Sequence, residues 1–350
     1  MKNTIRRRDF IKSAVAGAAG LGLAGKSLPE NTPGSPQGNR IGIIGLDTSH
    51  ATAFTRVLND PSAGPEFGGY KVVAAYPKGS NDIKSSVDRI AGYTEDVKKL
   101  GVEIVNSIEE LLTKVDAVLL ETNDGRLHLG QAIPVMKAGK RVFIDKPIAA
   151  SLEDTIAIFE LARHFNVPTF SSSSLRYIPG LKEISEGSAG KVLGADIYGP
   201  ATIEKTHPDL FWYGVHGVET LYTVMGTGCK SVSRTFAENS DKVVGRWNDN
   251  RIGTFRGIRA GRSDYGGTVF GEKGITVIGK YSGYNPLLVE IVKFFQTGVA
   301  PVSPAETIEI FAFMTAAEES KRREGSVVFL SEVMRKAKEE SERILSDLKV

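Results

Sequence analysis

The sequence predicts an α/β fold whose first part is a doubly wound parallel sheet. Three observations support this prediction. Strand and helix patterns alternate from residue 40 to about 172, a glycine-containing turn follows the first strand, and period-2 strand patterns dominate after residue 190. Because successive βα units form parallel sheets with right-handed crossovers, residues 40–172 should make one such sheet.

The first βα unit carries an altered phosphate-binding turn, G-L-D-T-S-H, after the strand R-I-G-I-I. Dinucleotide-binding units use three glycines here, for the tight turn, the approach of the pyrophosphate and helix packing. Gly45 matches the first glycine, whereas Asp47 and His50 replace the second and third. Asp47 would either face the pyrophosphate, which its charge and bulk oppose, or only cap the next helix.

Six strands and five helices are predicted in this first part. The strands cover 41–46, 71–76, 103–105, 116–121, 141–144 and 168–171. The helices cover 49–59, 84–100, 107–113, 127–138 and 151–165, the first of them with Thr48 or Ser49 as its N-cap.

The turn after the second strand is compatible with both NAD and NADP. An acidic residue there usually holds the adenosine ribose, and a basic one accepts a 2′-phosphate. This chain has Y-P-K-G-S at 76–80. Lys78 and Ser80 could take a 2′-phosphate, or Lys78 could be an ordinary solvated lysine of the turn.

The N-terminus has the pattern of a twin-arginine signal peptide. The motif R-R-D-F-I-K at residues 7–12 precedes a weakly apolar run that is too short to span a membrane permanently. An ordinary amphipathic helix is the alternative. We expect residues 1–26 to direct export of the folded protein to the periplasm or another extracytoplasmic space, with residues 27–39 as a linker rich in Pro, Gly and Ser.

Charge and cysteine content argue against several classes of function. The chain has 44 Lys and Arg against 41 Asp and Glu, but residues 1–26 hold six of the bases and one of the acids, so the remainder has 38 bases against 40 acids. This balance gives no indication of nucleic-acid binding. The single Cys229 excludes an intrachain disulfide and a cysteine zinc cluster, and no apolar span beyond the N-terminus predicts membrane insertion.

A specific resemblance begins at residue 128, where H-L-G-Q-A-I-P-V-M-K-A-G-K is followed by R-V-F-I-D-K-P-I-A. The chain resembles the family of glucose-fructose oxidoreductase, inositol dehydrogenase and their MocA-type relatives (Gfo/Idh/MocA), in which the second motif usually has Glu-Lys-Pro. The similarity covers residues 40–325. It implies a Rossmann domain for NAD or NADP at 40–172, then a substrate and oligomerisation α/β domain with an open, mainly antiparallel sheet at 173–330.

The second half agrees with that implication. Candidate strands cover 191–204, 231–237, 242–248, 252–259, 264–271 and 274–279. A helix should open near Tyr213 and end at Gly226. Residues 331–350 read as a solvated amphipathic helix with Val333, Ile344 and Leu348 available for docking.

The resemblance implies a catalytic pair, Lys146 of the D-K-P turn and His216 at the start of the later helix. A histidine can take a hydroxyl proton near neutral pH, and a lysine stabilises the developing alkoxide. A capping or buried histidine is the alternative for His216. Family members commonly carry Asp where this chain has Trp212 and Glu219. Candidates for the missing polar group are Tyr213, which we count as catalytic, and His207.

The other expected site residues fall into two groups. Cofactor-binding residues are Gly45, Asp47, Thr48, Ser49, His50, Thr122, Asn123, His128, Asp145 and Lys146, with a purely structural role as the alternative for His128. Substrate-binding residues are Arg176, Tyr177, His207, Trp212 and Glu219. Aromatic residues that could form a sugar platform, or belong to the core, are Tyr177, Tyr198, Phe211, Trp212, Tyr213 and Trp247. No metal site is predicted, since the spacing of Asp47, His50, His207, Asp209 and Glu219 matches no strong motif.

Together these features predict an exported, homo-oligomeric oxidoreductase that transfers hydride from a sugar, inositol or glycoside hydroxyl to a nicotinamide cofactor. Two alternatives stay open. Asp47, His50 and Trp212 favour a redox-neutral hydratase, lyase or epimerase on the same fold. A carbohydrate-binding protein without catalysis is the other alternative.

Overall fold

A computed structural model describes residues 38–348, and the predicted signal peptide lies outside these residues, as does most of the predicted linker. The first sheet has six parallel strands in the order β3-β2-β1-β4-β5-β6. They are β1 (Arg40–Ile44), β2 (Lys71–Tyr76), β3 (Glu103–Ile104), β4 (Ala117–Leu120), β5 (Arg141–Ile144) and β6 (Thr169–Phe170). The doubly wound sheet is therefore as predicted, and its strand order reverses between β1 and β4.

Five helices connect these strands. They are α1 (Ser49–Leu58), α2 (Lys84–Lys99), α3 (Ile108–Leu112), α4 (Gly125–Lys137) and α5 (Leu152–His164). The central strands β4 and β5 are buried along their whole length, because helices cover both faces of a doubly wound sheet. The apolar sequence A-V-L-L of β4 and the V-F-I of β5 are typical of such strands.

The second sheet has seven strands in the order β12-β11-β7-β10-β9-β8-β13. They are β7 (Val192–Pro200), β8 (Cys229–Ala237), β9 (Ser240–Trp247), β10 (Ile252–Ile258), β11 (Gly266–Gly271), β12 (Gly274–Val277) and β13 (Val328–Phe329). Only β7 and β10 pair in parallel, so the sheet is mainly antiparallel. The first predicted strand of this half is shorter than expected and ends at Pro200, which cannot donate to a ladder.

Five more helices complete the described chain. They are α6 (Leu181–Ser185), α7 (Val215–Met225), α8 (Asn285–Thr297), α9 (Pro304–Arg322) and α10 (Leu330–Asp347). The predicted helix after Tyr213 is α7, and a π-helical turn at Leu210–Gly214 leads into it. Helix α10 buries Val333, whereas Leu348 stays exposed.

Helix α8 follows the strands of the second sheet in the chain but packs against the first sheet. Its Leu287, Ile291 and Phe294 share a buried cluster with β1 and β2, and Arg141 of β5 donates to the carbonyl of Phe295. The apolar spacing of N-P-L-L-V-E-I-V-K-F-F is helical, yet the pattern does not indicate which sheet it covers. The two parts of the chain are thus tied together by more than the connection after β6.

Helix α7 lies against β7 and β10 and carries His216 towards the end of β5. A Cβ at Gly217 would lie 2.1 Å from the Phe255 ring, so only glycine allows this close approach. The outer face of the second sheet exposes Leu193, Ile252 and Val277, and homo-oligomer formation stays a prediction. Among the described residues, no helix has the length and apolar character required to cross a bilayer.

Candidate active site

The carboxyl ends of β1, β4 and β5 bring several polar side chains to one edge of the first sheet. The ladder continues past the strands, since the N–H of Glu121 donates to Ile44 O and the N–H of Asp145 donates to Leu120 O. Helix α1 starts at the same edge, and its N-cap is Thr48, whose hydroxyl accepts from His50 N at 2.9 Å. This edge is the switch point of the sheet, where open α/β folds bind ligands.

A cavity of about 460 Å³ opens between this edge and helix α7. Its walls come from both halves of the described chain. They include Thr48, Ser49, His50, Ser85, Arg89, Asn123, Lys146, Ser174, Glu204, Trp212, Tyr213, His216, Tyr265, Tyr281 and Tyr284. The volume is in the range of small-molecule sites.

The predicted pair, Lys146 and His216, lines this one cavity. Burial and the charge of Lys146 keep the pKa of His216 well below its ordinary value, so the imidazole is neutral near pH 7. His216 does not cap α7, for which no side chain accepts a capping bond. The capping alternative is therefore wrong. His216 is nevertheless buried and pairs with Ser173, so the alternative of a buried, hydrogen-bonded histidine stays open beside the catalytic one.

His216 Nδ1 lies 2.7 Å from Ser173 Oγ, which also accepts from Leu175 N at 3.1 Å. A serine hydroxyl has two lone pairs. When Nδ1–H donates to the second lone pair, Nε2 of His216 carries no proton and can act as a base. Ser173 therefore permits the basic tautomer, although within residues 38–348 no carboxylate pairs with His216 Nδ1.

Glu219 and Arg176, both expected to bind substrate, do not line the cavity. Glu219 accepts from Ser172 Oγ at 2.7 Å, from Ser173 N at 2.9 Å and from Arg176 Nε at 2.9 Å. Burial raises the pKa of Glu219 despite the ion pair with Arg176. This cluster fixes the segment after β6 and so places Ser173 beside His216.

His207, Tyr177, His128 and Thr122 are also not on the cavity wall, contrary to their expected roles. His207 Nε2 accepts from Gly125 N at 3.2 Å and its Nδ1 lies 2.9 Å from the Thr206 hydroxyl. Both nitrogens of His128 face backbone carbonyl oxygens, which is the structural alternative. The hydrogen bond from Gly125 N to His207 spans 82 residues of the chain, so a local motif could not indicate it.

Asp47 is fully buried and bridges two loops of the crevice. Its Oδ1 accepts from Asn123 N at 2.9 Å and its Oδ2 from Ser80 N at 3.1 Å. A Cβ at Gly79 would lie 2.0 Å from Oδ2, so the carboxylate closely covers the end of β2. Burial raises the pKa of Asp47 although both N–H groups oppose the rise. Asp47 does not cap α1, and that expectation is wrong.

The turn after β2, where Lys78 and Ser80 were candidates to bind a 2′-phosphate, has its polar groups engaged within the protein. Ser80 Oγ lies 2.9 Å from Asp82 Oδ1 and 2.9 Å from Asp124 Oδ2, so its one proton is shared between two carboxylates. The Arg126 guanidinium binds the same two carboxylates. Lys78 is exposed and does not line the cavity. The hydroxyl of Ser80 is therefore not a free phosphate donor, and the solvated interpretation of Lys78 agrees with its position.

His50 meets two buried carboxylates, an arrangement that the sequence did not indicate. His50 Nδ1 lies 3.0 Å from Asp145 Oδ1 and 3.8 Å from Glu121 Oε2. Burial and the nearby charge of Asp145 raise the pKa of Glu121 far above its ordinary value. Burial alone would raise the pKa of Asp145, but His50 and Lys146 lower it. Glu121 follows β4 directly, and its position after an apolar strand is the signal that could have identified it.

Aromatic residues form much of the cavity wall, in part as predicted. Trp212 and Tyr213 line it, whereas Phe211 and Trp247 belong to the core. The sequence did not indicate Tyr265, Tyr281 and Tyr284, which complete the wall. Burial raises the pKa of Tyr281 to about 12, so its hydroxyl stays protonated and can donate to a ligand.

Comparisons with known proteins agree with this geometry. Residues 39–171 match the sequence profile described as "Oxidoreductase family, NAD-binding Rossmann fold" (GFO_IDH_MocA). The match covers the entire first sheet and supports assignment of this domain to the Gfo/Idh/MocA oxidoreductase family.

Two curated relatives are similar to part of the chain. The 1,5-anhydro-D-fructose reductase of Ensifer adhaerens is 31% identical over 122 residues, 33% of this chain and 36% of the relative. The inositol 2-dehydrogenase of Cereibacter sphaeroides is 32% identical over 113 residues, 31% of this chain and 28% of the relative. The chain thus aligns with about a third of the length of these relatives.

Two solved structures share most of the described fold. A probable dehydrogenase from Thermotoga maritima has a TM-score of 0.69 at 21% identity, covering 84% of this chain and 99% of the other. The scyllo-inositol dehydrogenase of Lactobacillus casei, solved with NAD(H) and scyllo-inositol, has a TM-score of 0.63 at 15% identity, covering 83% and 99%. At these identities the likeness establishes the two-domain fold.

Proposed function

We propose that the chain is a nicotinamide-dependent oxidoreductase that oxidises a hydroxyl of a sugar, inositol or glycoside. One observation carries this proposal. Lys146 and His216, which come from different halves of the chain, line a single cavity at the switch point of an NAD-family sheet. The names of the two curated relatives support a polyhydroxylated substrate class.

The chemistry assigned to this pair follows from their charge states. Neutral His216 takes the hydroxyl proton at Nε2 while Ser173 accepts from Nδ1–H. The ammonium of Lys146 stabilises the oxygen on which negative charge develops. A bound nicotinamide supplies the acceptor for the hydride. The phenol hydroxyls of Tyr265 and Tyr281 are available to bind further substrate hydroxyls.

The chain's own residues accommodate a dinucleotide along one side of the cavity. Gly45 keeps the tight turn after β1, with a φ of 90°, and a Cβ there would lie 2.5 Å from Thr122 N. Thr48 and Ser49 place the α1 N-terminus on the cavity wall, where backbone N–H groups favour phosphate. Arg89 of α2 also lines the cavity, and its charge would favour a phosphate there.

The first test is the cofactor content of the purified protein. We expect denaturation of protein purified without added cofactor to release NAD or NADP, because a dinucleotide held beneath two domains should dissociate slowly. Absorbance and mass spectrometry of the supernatant measure it. The proposal fails if no dinucleotide is released and calorimetry detects no binding of added NAD, NADP or their reduced forms.

A redox-neutral hydratase, lyase or epimerase is the second candidate function. The observation in its favour is Asp47, whose carboxylate takes two N–H groups of the crevice that a dinucleotide could otherwise use. Deuterium incorporation from D₂O into a glycan product, in the absence of any dinucleotide, would favour this candidate over the first.

We also propose export by the twin-arginine route, on the basis of the R-R-D-F-I-K motif at residues 7–12. Replacing Arg7 and Arg8 together by lysine should leave the protein in the cytoplasm in a folded state, because the paired guanidinium groups form the recognition element. Immunoblots of cell fractions, with thermal melts of the retained protein, measure this. An equal periplasmic yield of the double variant would refute the signal assignment.

A further inference from the structure

Three ligand-type side chains converge beneath the active-site cavity. His50 lies in the first turn of α1, while Glu121 and Asp145 directly follow the neighbouring strands β4 and β5. One ligand atom of each residue lies within 4.8 Å of the other two. His50 Nδ1 is 3.0 Å from Asp145 Oδ1 and 3.8 Å from Glu121 Oε2. These separations are of the size found between ligands that share one metal ion.

The two carboxyl groups are buried without sufficient partners. Their side chains have no exposed surface, and among the described residues neither oxygen of Glu121 nor Asp145 Oδ2 has a hydrogen-bond partner. Lys146 Nζ is 3.8 Å from Asp145 Oδ2, too far for a hydrogen bond. A buried carboxyl group in such surroundings is normally paired or binds a metal.

The set of donor atoms indicates the kind of ligand. One imidazole nitrogen and two carboxylates suit a divalent first-row transition metal, and three protein ligands leave open positions on the ion. His50 and Lys146 line the cavity, so an ion has a route to the cluster. We propose that His50, Glu121 and Asp145 bind one divalent transition-metal cation at the carboxyl edge of β1, β4 and β5.

This site goes beyond the proposed oxidation and is tested without any dinucleotide or substrate. Protein stripped with EDTA and dialysed should bind one Mn²⁺ per chain in calorimetry, and Zn²⁺ in a parallel titration. Pulsed EPR of the Mn²⁺ complex should detect the ¹⁴N coupling of a coordinated imidazole. Because loss of groups that only support a ligand already costs about 10- to 100-fold in affinity, Glu121→Gln should weaken binding by at least about 100-fold.

Glu204→Gln is the matched control, since Glu204 lines the same cavity outside the cluster, and its Mn²⁺ affinity should equal that of the wild type. Asp145→Asn provides a second variant if Glu121→Gln fails to fold by circular dichroism. The proposal is overturned if the wild type shows no saturable binding of either ion up to millimolar concentration. It is equally overturned if bound Mn²⁺ shows no ¹⁴N coupling, or if both cluster variants retain wild-type affinity. Dinucleotide release from the same preparation is scored separately, so either proposal can fail alone.

Discussion

Replacing Lys146 or His216 by alanine should each lower turnover by about 100-fold or more, because a positioned base and a preorganised charge each contribute on that order. The double variant should lose less than the product of the single losses, since two groups that serve one proton transfer act as a unit. Steady-state turnover on a panel of sugars, inositols and glycosides measures these effects.

Two controls separate chemistry from folding. The exposed Lys78 and His164 lie outside the cavity, and alanine at either position should leave turnover unchanged. Melting temperatures of the Lys146 and His216 variants should stay within a few degrees of the wild type, because both side chains line a cavity and do not fill the core. The His216 variant also loses its hydrogen bond to Ser173, which is worth about 1 kcal/mol. Full turnover in Lys146→Ala, or unfolding of His216→Ala, would contradict the assigned pair.

Replacing Asp47 by glycine should raise affinity for a dinucleotide while lowering the stability of the free protein. The buried carboxylate holds two backbone N–H groups and covers the end of β2. Its removal opens that space and leaves two buried donors without partners, at a cost of about 2 to 4 kcal/mol in unfolding free energy. A bound dinucleotide should restore much of this loss, since it binds only the folded state. Calorimetry and thermal melts with and without NAD or NADP measure both effects.

The Asp47→Asn variant tests whether the volume or the negative charge of the Asp47 side chain limits dinucleotide binding. Asparagine retains the volume beside Gly79 but removes the negative charge and one acceptor. If the side-chain volume at position 47 obstructs the dinucleotide, the Asp47→Asn variant should bind it no more tightly than the wild type, whereas the Asp47→Gly variant should bind it more tightly. An unchanged or weaker affinity in Asp47→Gly would show that Asp47 only supports the loops after β2 and β4.

The elements of the first domain follow from local sequence patterns. Short runs such as A-V-L-L and V-F-I, bounded by turn signals, are typical of buried strands, and Thr48 is a side-chain cap within one turn of its helix. The D-K-P turn and the later helix start point to Lys146 and His216 only through the resemblance to the Gfo/Idh/MocA family, since neither short motif by itself separates a catalytic role from a structural one. These motifs could not predict which other side chains surround Lys146 and His216 in the folded protein.

The sequence by itself predicted the fold class and the position of the switch-point edge, and the family resemblance pointed to Lys146 and His216, which line one cavity. Only the tertiary structure decided the partners of these groups. His50 and Asp145 are 95 residues apart in the chain, and α8 reaches the first sheet from beyond the second one. Local periodicity specifies which face of an element is apolar but not which distant element covers it. The cluster of Glu121 with His50 and Asp145, and the hydrogen bonds of Asp47, therefore depend on the tertiary packing of the loops after β1, β2, β4 and β5 and could not be predicted from local sequence.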